Sequence, residues 1–74
     1  MLDRRWQELG AAMRLGRLAR RWSQEQAADL LGVSRDTVRQ IETGAGESVR
    51  IGTVNAYAAL VGVPVVLPLV GAGS

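Results

Sequence analysis

The reading of the fold turns on residues 24–43, Gln24-Glu25-Gln26-Ala27-Ala28-Asp29-Leu30-Leu31-Gly32-Val33-Ser34-Arg35-Asp36-Thr37-Val38-Arg39-Gln40-Ile41-Glu42-Thr43. Ser23-Gln24-Glu25-Gln26 fits a capping box, in which Ser23 and Gln26 satisfy each other's orphan backbone donors. Trp22 and Ala27 stand where a hydrophobic staple belongs. The helix that starts here is short and should stop at Gly32, a residue that tolerates φ > 0. Ser34 is the expected N-cap of a following helix, with Val33 and Val38 as its staple. That helix is expected to end at Thr43-Gly44, with Gly44 in the C′ position. Ala28 falls where the two helices would approach closely. Ala27, Leu31, Val33, Val38 and Ile41 supply an apolar wedge between them.

Two short helices joined by about three residues, with Gly at the corner, describe a helix-turn-helix. Upstream, Trp6, Leu9, Met13 and then Gly16 or Arg17 recur at helical spacing. They predict a first helix from near Asp3 to Arg21. Downstream, Gly44 to Arg50 reads as a loop. The run Gly44-Ala45-Gly46 is no phosphate cradle, because no strand precedes it and no Lys follows. Ile51, Val54, Ala58 and Val61 form the stripe of a fourth helix over Ile51–Val61, closed by Gly62.

Residues 51–74 carry no charge, a length that meets the crude criterion for a membrane span. Thr53, Asn55, Gly62, Pro64 and Pro68 speak against one, and the apolar period changes near Gly62. Residues 63–70 read instead as a strand, being β-branched and carrying two prolines that forbid a helix interior. Pro64 and Pro68 share parity, so the missing donors fall on one edge. The edge carrying Val63, Val65, Leu67 and Leu69 stays intact. A lone strand on a helical domain has no partner in its own chain and would be an exposed apolar edge. Pairing with the same strand of a twin chain, in a two-fold contact, covers it.

Composition narrows the function classes. A chain of 74 residues, 47% hydrophobic and 22% charged, is one packed unit at most. A core of this size seldom supplies more than about 3–5 kcal/mol, so a staple is expected. Cys and His are absent, which removes disulfides and makes structural zinc untenable. Oligomerisation is the remaining common route. The same absences remove the usual nucleophile, base and metal ligand, so the expectation is no enzyme, no metal and no cofactor. All nine basic residues are Arg, and the net charge is +2. Residues 1–22 carry +4, residues 23–50 carry −2 and the rest carry none. The start Met1-Leu2-Asp3-Arg4-Arg5-Trp6 lacks the apolar stretch of a secretory signal.

The chain resembles the lambda-repressor/Cro-like helix-turn-helix family, also called the XRE family, over roughly Leu9 to Val63. The telling pieces are Trp22-Ser23-Gln24-Glu25-Gln26-Ala27-Ala28, Leu31-Gly32-Val33-Ser34-Arg35 and Ile41-Glu42-Thr43-Gly44. The tail, Ile51 to Leu60 followed by Val63 to Val70, looks like that of the HipB-type antitoxins. The resemblance implies an all-α fold, a small helix-turn-helix bundle with a C-terminal β-strand that pairs across a dimer. It divides the chain into a DNA-binding domain over 1–62 and a dimerisation strand and tail over 63–74, with Val63, Val65, Val66, Leu67 and Leu69 at the dimer interface. It further implies a homodimeric repressor that binds palindromic operator DNA in the cytoplasm of a bacterium or on a phage operator, with a HipA-like kinase toxin as a further partner. A stand-alone or phage-type regulator is the alternative. A protein-interaction adaptor that keeps the fold without binding DNA is a rival from another class.

The family places its third helix in the major groove. Arg35, Asp36 and Gln40 fall on its base-reading positions. Arg35 suits guanine O6 and N7, and Gln40 suits adenine N6 and N7. Asp36 either accepts from cytosine N4 or only orients Arg35, and near a helix N-terminus it also favours the dipole. Ser34, Thr37 and Arg39 lie beside them, within reach of base or phosphate. Gln24, first in the second helix, matches a phosphate-contacting position, as does Arg50 after Gly44. Arg14, Arg20 and Arg21 are candidates for wider phosphate attraction or simple surface charges. Arg17 and Glu42 match a family ion pair between helix 1 and the end of helix 3. Trp6, Trp22 and Tyr57 read as core or interface. A net charge of +2 is weak for DNA binding by one chain. A dimer doubles the contacts, with half-sites about 34–36 Å apart.

Overall fold

The computed structural model describes residues 4–64. Four α-helices follow one another: α1 Arg4–Ala19, α2 Gln24–Leu31, α3 Arg35–Glu42 and α4 Ile51–Leu60. The segment expected as a plain loop holds a single 3₁₀ turn, Gly46–Ser48. The helical bundle expected from the sequence is present. The strand expected over 63–70, with Val65, Val66, Leu67 and Leu69, lies outside the described residues from 65 onward. Among the described residues no helix is long and apolar enough to cross a membrane.

The caps set the helix boundaries. Ser23 Oγ accepts from the Gln26 N–H at 2.9 Å, and Gln26 Oε1 accepts from the Ser23 N–H at 2.7 Å, closing the capping box. Ser34 Oγ accepts from the Thr37 N–H at 3.1 Å and starts α3. At the other end of α2, Gly32 is left-handed (φ 74°), and the Val33 N–H reaches back to the Ala28 carbonyl at 3.0 Å. This is a Schellman ending, in which orphan carbonyls are satisfied by the residues past the helix. Gly44 after α3 and Gly62 after α4 do the same, with Ala45 N–H to Gln40 O at 2.8 Å and Val63 N–H to Ala58 O at 2.8 Å.

α1 departs from expectation. It was expected to run to Arg21, but it stops at Ala19 in the same motif without glycine. The Trp22 N–H reaches the Arg17 carbonyl at 3.3 Å, and Arg21 takes the left-handed position with φ 60°. The ending is imposed from outside the helix. Trp22 must pack against the core and Ser23 must cap α2, which leaves Arg21 the only place for the reversal. A left-handed non-glycine residue costs about 1–2 kcal/mol. Arg21→Gly is therefore expected to stabilise the domain by about 0.5–1 kcal/mol, after the extra freedom glycine gives the unfolded chain. Urea denaturation checks this; a loss of stability would remove the strain argument. α4 likewise ends one residue before its expected limit, with Val61 as its cap and buried.

The core sits between all four helices. Met13, Val38, Ile41, Val54 and Tyr57 are its largest fully buried side chains. Ala27 and Ala28 are buried where α2 meets α3, and Trp22, Leu31 and Val33 pack around them half-buried. Gly10 brings α1 onto the end of α3. A Cβ there would stand 2.3 Å from the Ile41 carbonyl oxygen and 2.8 Å from that of Glu42. Only a residue without a side chain allows that approach, so α1 and the last turn of α3 are in backbone contact. Val63 closes the packing, half-buried against the core.

Candidate nucleic-acid interface

α3 is strongly two-sided. Val38, Ile41 and Glu42 are buried, whereas Arg35, Asp36 and Arg39 are exposed and Thr37 and Gln40 half-buried. The buried positions repeat at three and four residues, so the remaining side chains of eight consecutive residues share one outward face. A rigid helix is thus held by one side, with its polar side presented to solvent.

What holds it is centred on Glu42. Arg17 Nε donates to Glu42 Oε2 at 2.7 Å and Arg17 Nη2 donates to Oε1 at 3.1 Å, a bidentate pair. Arg17 Nη1 also donates to the Trp22 carbonyl at 2.8 Å. The Tyr57 hydroxyl donates to Glu42 Oε2, and Gln24 Nε2 donates to Oε1 at 3.1 Å. One carboxylate therefore receives α1, α2 and α4 at the end of α3. Among the described residues no buried side-chain nitrogen or oxygen lacks a partner.

The electrostatics follow from these contacts. Burial pushes the Glu42 carboxyl up, but the Arg17, Tyr57 and Gln24 donors outweigh it and hold it below the ordinary glutamate value of 4.5. The Arg17 guanidinium is pushed up by its bond to Glu42. Burial, followed by the donation to Glu42, pushes the Tyr57 hydroxyl well above its ordinary value of 10.0. Glu42 then contributes stability that is complete above about pH 4.5 and is lost as pH falls through its lowered folded value. Tyr57 acts at the other end. Above pH 10.0 the unfolded phenol ionises while the folded one does not, so stability falls. Melting temperature against pH should decline on both flanks, and Tyr57→Phe should remove the alkaline decline. A Tyr57→Phe profile identical to that of the parent would remove this assignment.

The sequence-selected residues fall in separate places. The Arg35 side chain is exposed and makes no hydrogen bond among the described residues. Asp36 was expected either to meet a base or to orient Arg35. It accepts from Arg39 Nε at 3.1 Å and from Arg39 Nη2, and from Gln40 Nε2 at 3.0 Å. Arg39 holds its carboxyl below the usual carboxylate range. Ser34 Oγ and Thr37 Oγ1 lie 3.0 Å apart at the start of α3. Gln24 is half-buried at the start of α2 and is tethered to Glu42. Arg50 is exposed, and its carbonyl starts α4 by accepting from Val54 N–H at 3.1 Å. Arg14 and Arg21 are exposed.

Three roles escaped the sequence reading. Arg20, grouped there with general surface charge, donates from Nη1 to the Gly16 carbonyl at 3.1 Å and to the Val61 carbonyl at 2.9 Å. It ties the end of α1 to the end of α4 and lies 6.0 Å from the centre of the Trp22 ring. Tyr57 sits at an apolar stripe position, and only its polar tip hinted at a buried partner. Gln24 is shared between solvent and the Glu42 cluster, and helix periodicity carries no signal for that.

A search of the curated proteins finds no match. A family model described as a helix-turn-helix domain matches residues 8–68, most of the chain. The match spans all of α2, α3 and α4, the outward face of α3 and both members of the Arg17–Glu42 pair. On that match and this geometry, the chain belongs to the DNA-binding helix-turn-helix domain family.

Proposed function

We propose that the protein is a sequence-specific repressor that binds palindromic operator DNA as a homodimer, with α3 in the major groove. The observation that carries the reading is the outward face of α3, polar and free of the core, on a helix locked from behind through Glu42. Arg35 and Gln40 read base edges. Ser34, Thr37 and Arg39 flank them. Gln24 at the start of α2 and Arg50 at the start of α4 meet phosphates, which position the helix without reading sequence.

Two features support the dimer. The net charge of +2 is small for one chain to hold a duplex. Leu15, Leu18, Leu30 and Ile51 are also exposed on the single chain, and residues 65–70 add a further apolar run. On this reading Val63, Val65, Val66, Leu67 and Leu69 carry the contact between copies. Val63 also packs on its own core, so truncation is best made after Pro64. Sedimentation of that truncated chain should give monomers with an unchanged helical spectrum. A persisting dimer would sink the tail-mediated contact.

Footprinting on the DNA upstream of its own gene tests the function. Two protected half-sites about one helical turn apart are expected. No protection anywhere in that region would leave the adaptor reading in its place. The finer assignment is the autorepressing antitoxin of a HipA-like kinase toxin, working in a bacterial or phage-infected cytoplasm. Co-expression with a kinase encoded beside it should yield a stable complex and suppress toxicity. With no such neighbour, the stand-alone regulator takes over.

A further inference from the structure

Asp36 is exposed on the face of α3 that would meet DNA, yet both its oxygens are taken from within the helix. Oδ1 receives Arg39 and Oδ2 receives the Gln40 amide nitrogen at 3.0 Å. An ionised carboxylate only accepts hydrogen bonds. It therefore decides which end of the Gln40 amide faces it. The nitrogen must point to Asp36, and the carbonyl oxygen Oε1 must point away. Oε1 has no partner among the described residues.

Resting on the reading that α3 enters the major groove, we infer that Asp36 is a positioning residue for sequence readout: it fixes the Gln40 amide so that an acceptor faces the bases, and it holds Arg39 beside it. In the major groove an acceptor finds a donor only on adenine N6 or cytosine N4, because guanine and thymine offer oxygen or ring-nitrogen acceptors there. Gln40 held this way selects an amino-bearing base and rejects guanine and thymine. Released from Asp36, the amide turns over at no cost and donates to guanine or thymine as readily. Asp36 thus sets the base preference of a neighbour without touching a base itself. The spacing supports the arrangement, since Asp36, Arg39 and Gln40 stand three and four residues apart on one helix face.

Selection of bound duplexes from a random pool, with the full chain, finds the preferred site. The position whose preference disappears in Gln40→Ala is the base that Gln40 reads. Binding of all four single-base variants at that position is then measured at one salt concentration for the parent, Asp36→Ala and Asp36→Asn. The parent should prefer adenine or cytosine over guanine and thymine by about tenfold or more. Both Asp36 variants should flatten this to within about threefold. Preferences at the position lost in Arg35→Ala should stay as in the parent, which a merely structural role would not allow, and the melting temperature should fall by only the few degrees that loss of a first-turn carboxylate accounts for. An unchanged ranking in both Asp36 variants, or a Gln40→Ala chain that loses preference nowhere, overturns the inference and leaves the repressor reading standing. A parent that enriches no sequence overturns the repressor reading itself.

Discussion

Glu42→Ala is expected to unfold the domain. The substitution removes the acceptor for Arg17, Tyr57 and Gln24 together. It leaves the Arg17 guanidinium, whose side chain is only 8% exposed, with no counter-charge. Breaking a buried pair from one side costs about 3–5 kcal/mol, because the surviving charge stays desolvated. That is about the whole stability available to a core of this size. The loss should appear in circular dichroism as disappearance of the cooperative melt at room temperature. A control separates the charge penalty from the packing. Arg17→Met combined with Glu42→Leu removes both charges and keeps apolar volume, so it should be milder than Glu42→Leu alone. A Glu42→Ala chain that melts within a few degrees of the parent would show that the cluster contributes little.

The second large effect concerns binding and leaves the fold alone. Arg35→Ala with Gln40→Ala removes two side chains on the outer face of α3, neither of which contributes to the core. The melting temperature should hardly move. Each side chain paired to a base edge is worth about 1–3 kcal/mol of discrimination, so the double change costs about 2–6 kcal/mol per half-site. Specific sites exceed nonspecific DNA by about 4–10 kcal/mol. Loss at both half-sites of a dimer therefore brings operator binding down to the nonspecific level. Fluorescence anisotropy against operator and scrambled duplexes at fixed salt reads this directly. Undiminished preference for the operator would move the interface off α3.

These two changes divide the helix by its two sides. Replacing Glu42 acts through folding, and replacing Arg35 and Gln40 acts through recognition. The partition arises because a polar helix only eight residues long cannot hold itself in water. Its direction in space comes from what its buried side grips: Gly10 in backbone contact with its last turn, and Arg17 and Gln24 on its terminal carboxylate.

Much of this was legible in the chain. Ser23, Gln26 and Ser34 start helices, and Gly32, Gly44 and Gly62 end them, because caps and left-handed turns depend on residues only a few positions apart. The apolar stripes of α1 and α3 could be read from helical spacing for the same reason, as could Val54, Ala58 and Val61 at α4, whereas Ile51, placed on that stripe, is exposed. Most of what the sequence left out was non-local. Arg21 reads as one more helical residue, and its left-handed turn follows from where Trp22 must go. Arg20 reads as surface charge, and its capping of Val61 depends on α4 ending beside α1. Asp36 is a local case: spacing within one helix offers it Arg35, Arg39 and Gln40 alike, and side-chain geometry gives its hydrogen bonds to Arg39 and Gln40.

The amino-acid sequence by itself determined where the helices begin and end and which faces are apolar, because those depend on contacts within a turn or two of the chain. Tertiary structure alone decided that Glu42 gathers donors from α1, α2 and α4 and that Arg21 gives way to the reversal. Such choices depend on which polar atoms are left to satisfy one another once water has been excluded between distant segments, and no local pattern records that.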